Sequence, residues 1–235
     1  MKICLDAGHG KETPGKRSFD GSLREYEFNR DVTARVKNHL VRHGVSVVLS
    51  APNDTDTSLA ERCRIANASK VDIFVSIHAN AFGTELNSAS GWEIYSNPYS
   101  AKGAALAKCI HDESMPFLGI KDRGMKLEPF YVVKNTIAPA VLIEHGFYTN
   151  KDELELLKLD WFQEKCAIAD AKGILKYFGI TWIRETTSTA ENEMTVEEAK
   201  KIVKEKAGLS DDTIQYLMFY EYNDELIVKL AKAMM

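Results

Sequence analysis

Short runs of β-forming residues alternate with longer segments of helical period, and that alternation confines the chain to an α/β architecture built on a mainly parallel sheet. Residues 2–5, 46–50, 72–77, 92–96, 131–134 and 140–143 read as strands. Residues 23–43, 58–69, 100–114 and 151–178 read as helices, with Gly44 and Gly179 at C-terminal caps and Ser58 with Glu61 as a capping box. The expectation is an open, mainly parallel twisted sheet flanked by helices.

After Trp182 the composition changes. Residues 184–194 are polar and lack aromatics, which reads as a linker between a first domain, 1–183, and a small all-α C-terminal module, 195–235. Thr195 and Glu198 form a second capping box, and 196–206, 211–220 and 224–234 carry helical patterns. Roughly 40 residues make a marginal core, so the module is expected to pack on the first domain or to form a homodimer. Its six Lys stand against eight Asp or Glu, so charge alone does not explain attachment to anionic polymers.

The 235 residues, 45% hydrophobic and 27% charged, are enough for one sizeable core with a small appendage. A formal net charge of −4 argues against nucleic acid or an anionic membrane surface as partner. No apolar run approaches the roughly 18 to 20 residues of a membrane span. "MKICLDAGHG" lacks the basic, apolar and small-residue regions of a signal peptide, so export by that route is not expected. Cys4, Cys63, Cys109 and Cys166 are isolated and without C-x-x-C pairing, as reduced core thiols in a reducing cytoplasm would be.

In open α/β sheets functional groups gather beyond the carboxyl ends of the parallel strands. His9 in "LDAGHG", His78 in "IFVSIHAN" and Glu144 in "AVLIEHG" each stand at such an end. A fourth group comes from the first helix, where Glu25, Asn29, Val32, Val36 and Leu40 share one face. The apolar members turn that face inward, so Glu25 is a carboxylate that must find a cation, a proton or several donors. Two His and one Glu with an open fourth position make a common catalytic zinc site, in which the metal lowers the pKa of bound water to about 7. Glu144, at a rigid strand terminus, suits the base that such a site needs. Taken singly, a strand-end His is more often a hydrogen-bonded structural residue, and Glu25 could pair with Arg24 or Arg30; the case rests on four positions pointing to one side of one sheet. His39 and His43 have the i, i+4 spacing of a metal pair, but without H-E-x-x-H or a third ligand they read as exposed histidines. Neither serine nor cysteine nucleophiles find their motif contexts.

These residues also resemble the zinc-dependent N-acetylmuramoyl-L-alanine amidases of the amidase type 3 family. "LDAGHG", "LREYEFN", "VSIHAN" and "GIKDRGMKLEPFYVVKNTIAPAVLIEHGFYTN" follow its signatures in order, from Met1 to about Phe178. The resemblance implies one Zn2+ bound by His9, Glu25 and His78, and Glu144 as catalytic base. Glu27 is the rival ligand, and the four-residue spacing to Asn29 favours Glu25. Asn80 would orient substrate or hold a turn. The family usually has Thr or another small residue after the catalytic Glu, where this chain has His145, read as a supporting or surface residue. Loops 10–22 and 81–91 would border the groove. The implied reaction is hydrolysis of the amide between N-acetylmuramic acid and L-alanine, with bacterial peptidoglycan as partner. Without a signal peptide the chain resembles a phage endolysin, held in the host cytoplasm until lysis and then acting on the wall. A bacterial autolysin of the same activity, a zinc exopeptidase and a non-catalytic wall binder are the alternatives. An exopeptidase of this kind would need further ligands for a second metal, and a pure binder has no need of Glu144.

Overall fold

A computed structural model describes residues 1–183, 194–217 and 223–235. The chain divides into two compact units, Met1–Ile183 and Arg184–Met235. The expected linker lies outside the described residues except for Met194, and so do residues 218–220 of the second module's middle helix.

In the first unit the elements run β1 (Lys2–Ala7), α1 (Glu25–Arg42), β2 (Ser46–Leu49), α2 (Leu59–Ala68), β3 (Ile73–Asn80), β4 (Trp92–Ser96), α3 (Ala101–Leu118), β5 (Asp122–Leu127), α4 (Tyr131–Asn135), β6 (Ala140–Phe147), α5 (Lys151–Leu157) and α6 (Asp160–Tyr177). Among the described residues six strands form one sheet in the order β2-β1-β3-β6-β4-β5. Only the β4–β6 pair is antiparallel. The two-residue period of the strands divides the core. Ile3, Leu5, Ile73, Val75, Ile77, Val141 and Ile143 join the large cluster that includes Val32 and Val36 of α1, Leu106 and Ile110 of α3 and Ile174 of α6. Cys4, Phe74 and Leu142 join a smaller cluster with Cys63 of α2 and Val132 of α4. Where α3 and α6 cross, a Cβ on Gly173 would lie 2.4 Å from the Ile110 Cα, so the crossing depends on that glycine.

The expected inward face of α1 is buried throughout: Glu25 is 1% exposed, and Asn29, Val32, Val36 and Leu40 are fully buried. Three sequence expectations change. Residues 131–134, a run of β-forming side chains, belong to the short helix α4, because Val132 and Val133 are buried beside Cys63 as a helical turn; tertiary packing overrides propensity here. The segment 151–178 is two helices, interrupted at Leu159, whose backbone is extended at φ −84°, ψ 126°. β5 was not expected, since "DRGMKL" is polar; it is an edge strand, where charge is tolerated.

In the second unit, α7 (Val196–Ala207), α8 (Asp211–Leu217) and α9 (Asn223–Ala233) enclose a cluster of Ala199, Val203, Ile214, Ile227 and Ala231. Thr195 and Glu198 cap α7 reciprocally. Among the described residues no helix is long and apolar enough to cross a membrane.

Candidate metal centre

His9 follows β1 with φ at +61°, a left-handed conformation that costs a non-glycine residue about 1–2 kcal/mol. Arg62, buried on α2, steadies this turn: Nη1 donates to the Ala7 carbonyl and Nη2 to the His9 carbonyl at 3.0 Å. Gly8 lets the His78 ring come against it, since a Cβ there would lie 2.1 Å from the ring's Cε1. Glu25 opens α1, where the helix dipole favours a negative charge. Its Oε1 is 3.0 Å from His78 Nδ1 and 3.3 Å from His9 Nε2. The two imidazoles stand edge to face at 5.1 Å, and one ligand atom from each of the three residues lies within 4.8 Å of the others.

This donor set asks for a cation. Ser76 Oγ donates to Asp6 Oδ2 at 2.6 Å, so it accepts from His78 Nε2 at 3.0 Å. A neutral His78 with its proton on Nε2 then points the lone pair of Nδ1 at a carboxylate oxygen. Burial lowers the His78 pKa, so the imidazole is held neutral, as a ligand must be. Burial pushes the Glu25 pKa up, and only positive charge at the His78 and His9 nitrogens, carried by a proton or a metal ion, holds it well below the usual carboxylate range. Tetrahedral ligands at metal distances of roughly 2.0–2.1 Å sit about 3.3–3.4 Å apart, close to the two separations that involve Glu25. Asp6 is itself anchored by Ser50 Oγ and by Arg62 Nη1 at 2.7 Å. The outer layer is therefore Asp6–Ser76–His78, and Asn29 adds to it by donating to the Gly8 carbonyl at 2.9 Å.

Glu144 stands beside this group. In the sheet it is directly opposite His78 on β3 and Glu93 on β4, so the three side chains form a row on one face. Among the described residues its buried Oε2 has no hydrogen-bond partner. Burial first, and then the Glu25 charge, raise its pKa well above the ordinary value, so this carboxyl is poised to hold a proton. A cavity of about 360 Å³ adjoins His9 and His78, with Leu59, Phe130 and Tyr131 in its wall and Leu142 also lining it.

The remaining sequence candidates fall as follows. Glu27 is exposed and its Oε2 accepts from the Arg24 backbone N–H at 3.0 Å, a capping position outside the histidine pair. Asn80 donates to Glu93 Oε1 at 2.7 Å while its own oxygen accepts from the Ala81 backbone, which ties the end of β3 to β4. His145 is fully buried rather than at the surface and points away from Glu144, to the opposite face of β6. There its Nε2 meets Asp170 Oδ2 of α6 at 2.9 Å. Burial works against its charge, but the Asp170 carboxylate outweighs that and lifts its pKa to about 10. His39 is also buried and bonded to Glu164 at 2.8 Å, and His43 stacks on Trp182, so neither is the exposed histidine that spacing implied. Asp6, Ser76, Arg62 and Glu93 escaped the sequence reading. The one signal available for Ser76 was its place two residues before His78, on the same face of the strand.

The family model described as N-acetylmuramoyl-L-alanine amidase matches residues 3–176. N-acetylmuramoyl-L-alanine amidase LytC of Bacillus subtilis (strain 168) is 37% identical over 75% of this chain and 35% of its own length. The endolysin of Bacillus phage SPP1 is 36% identical over 76% of this chain and 66% of its own. The chain thus spans about a third of the first relative and just under two thirds of the second. The solved catalytic domain of CwlV, an N-acetylmuramoyl-L-alanine amidase from Bacillus (Paenibacillus) polymyxa var. colistinus, superposes with a TM-score of 0.72 at 32% identity. That likeness covers 77% of this chain and 99% of that one.

Proposed function

The chain belongs to the N-acetylmuramoyl-L-alanine amidase family, and from that premise we propose that it hydrolyses the amide between N-acetylmuramic acid and L-alanine in bacterial peptidoglycan, using one zinc ion. The observation that carries the reading is a buried carboxylate between two imidazole nitrogens with a second carboxylate beside them whose Oε2 has no hydrogen-bond partner among the described residues. His9, Glu25 and His78 hold the ion, and Asp6 and Ser76 keep His78 in the ligand tautomer. When bound, zinc supplies Lewis-acid activation of the scissile carbonyl and of water. Glu144 takes a proton from the attacking water and delivers it to the L-alanine nitrogen as the C–N bond breaks. The products are the lactyl carboxylate and a free amine. Asn80 positions substrate through its grip on Glu93 and the end of β3.

Residues 1–183 serve as the catalytic domain, 184–194 as a linker and 195–235 as a helical module for wall attachment or dimerisation. The second unit's own apolar cluster supports its treatment as a separate body. Similarity to the SPP1 endolysin supports production in a host cytoplasm followed by action on the wall at lysis; similarity to LytC supports the autolysin setting for the same chemistry. Analysis of the ends released from purified peptidoglycan tests the activity. New L-alanine amino groups are expected; new reducing sugars, or amines from other stem residues alone, would exclude it.

A further inference from the structure

We propose that Arg123 and Lys126 form a carboxylate-binding subsite that reads the stem peptide just beyond the scissile amide, an inference that rests on the amidase reading. The two side chains project from β5 onto Glu93, the residue directly opposite Glu144 in the β4–β6 ladder. Glu93 is 3% exposed and saturated with donors. Its Oε1 accepts from Asn80 Nδ2 and from the Tyr95 hydroxyl, both at 2.7 Å; its Oε2 accepts from Arg123 Nε at 2.6 Å and from Lys126 Nζ. Two cations thus share one oxygen of one acid. Among the described residues neither has a second acid within ion-pair distance. The Glu153 carboxylate also feels the Arg123 charge, so Lys126 is the cation that has Glu93 alone, and both side chains are about a third exposed.

A lysine on an edge strand often serves only to keep strands of other molecules away, and for that it extends into water. Lys126 does not: its ammonium lies 5.5 Å from the Tyr95 ring centre and against Glu93. The Arg123 guanidinium lies 4.8 Å from the Phe147 ring centre and also donates to the Ser90 carbonyl at 3.3 Å. Both heads are held in place before any ligand arrives, which reduces the ordering entropy of binding. A buried acid needs one cation with good hydrogen bonds, so the second cation is in excess of what Glu93 requires.

The position selects the ligand. Glu93 is one strand from Glu144, a step of about 4.8 Å, and β5 lies one step farther. Two residues of extended peptide span roughly 7 Å, so a carboxylate on the second stem residue reaches this pair when the scissile amide is at Glu144. The sugar side then faces the aromatic-walled cavity beside His9 and His78. A planar guanidinium and an ammonium around one site discriminate a carboxylate from its neutral amide by charge rather than by shape.

The test uses the zinc-loaded full-length protein and muramoyl peptides that differ only in whether the second stem residue carries a free carboxylate or a carboxamide. The free acid should be hydrolysed with a kcat/KM about tenfold higher, the value of one charge-assisted contact, with the difference in KM. Lys126→Gln and Arg123→Gln should each raise KM for the acid several-fold more than KM for the amide, so that most of the preference is lost. Lys126→Arg should restore it, which a fold defect would not allow. Equal rates on the two substrates, or variants that lose both equally, would overturn the subsite while leaving the amidase reading intact. No release of L-alanine amine from either substrate would instead overturn the amidase reading, and this proposal with it.

Discussion

Glu25 sits where burial and charge oppose each other. A carboxylate 1% exposed needs cationic company: at Oε2 Lys16 Nζ stands 3.7 Å away and the Tyr148 hydroxyl donates at 3.3 Å, while at Oε1 the two imidazoles supply it only by sharing a proton or an ion. The tautomer of His78 decides between these, and it is set two residues away: Asp6 orients Ser76, and Ser76 receives the Nε2 proton. Ser76→Ala should therefore weaken zinc affinity by about 10- to 100-fold, measured by competition with a chelator, while the folded protein persists. Unchanged affinity would remove Ser76 from the account. His9, His78, Glu25 and Glu144 stood out in the sequence because each is a polar side chain at the edge of an apolar run or at the start of a helical pattern, although β3 and β6 continue past His78 and Glu144 to Asn80 and Phe147. Asp6, Arg62 and Asp170 did not stand out, because their partners lie 70, 56 and 25 residues away and nothing local marks the pairing. His145 shows the difference well: adjacent to Glu144 in sequence, it faces the other side of the strand and belongs to the α6 interface.

At the scale of elements, β6 runs between β3 and β4 and delivers Glu144 into a row with His78 and Glu93. Glu93 ties three strands together through Asn80 on β3 and Arg123 and Lys126 on β5. Burial would raise its pKa, but these donors and Tyr95 lower it from 4.5 to about 2. A depressed carboxylate contributes stability that is present above its ordinary value and lost as pH falls through the folded one. Between pH 4.5 and 2, then, thermal unfolding of the wild type should shift downward more steeply than that of Glu93→Gln, which starts less stable at neutral pH. Parallel curves would show that Glu93 is not held as an anion. The alternating pattern revealed most of these elements, since long amphipathic helices and buried apolar strands carry strong periods. It failed at α4 and β5. A five-residue helix has too few turns to show its period, and an edge strand of charged residues has no apolar face to show.

At the scale of the molecule, each of the two compact units carries its own apolar clusters, and the family match ends at residue 176, within the first. A protein ending at Ile183 should hydrolyse soluble muramoyl peptides at the full-length rate but bind whole walls less, as a sedimentation assay would read. Undiminished wall binding would leave dimerisation as the second unit's role. The polar stretch after Trp182 made two bodies legible, but what the second one binds is not written in amphipathic periodicity, which records only that a face is buried. The central claim concerns Glu144, and substitution by glutamine isolates it, because shape is kept and proton transfer is lost. With bound zinc and release of L-alanine amino groups measured on the same preparation, Glu144→Gln should retain one zinc per chain while the rate falls about 100- to 10,000-fold. A zinc-loaded variant that still opens peptidoglycan at the wild-type rate would contradict the account.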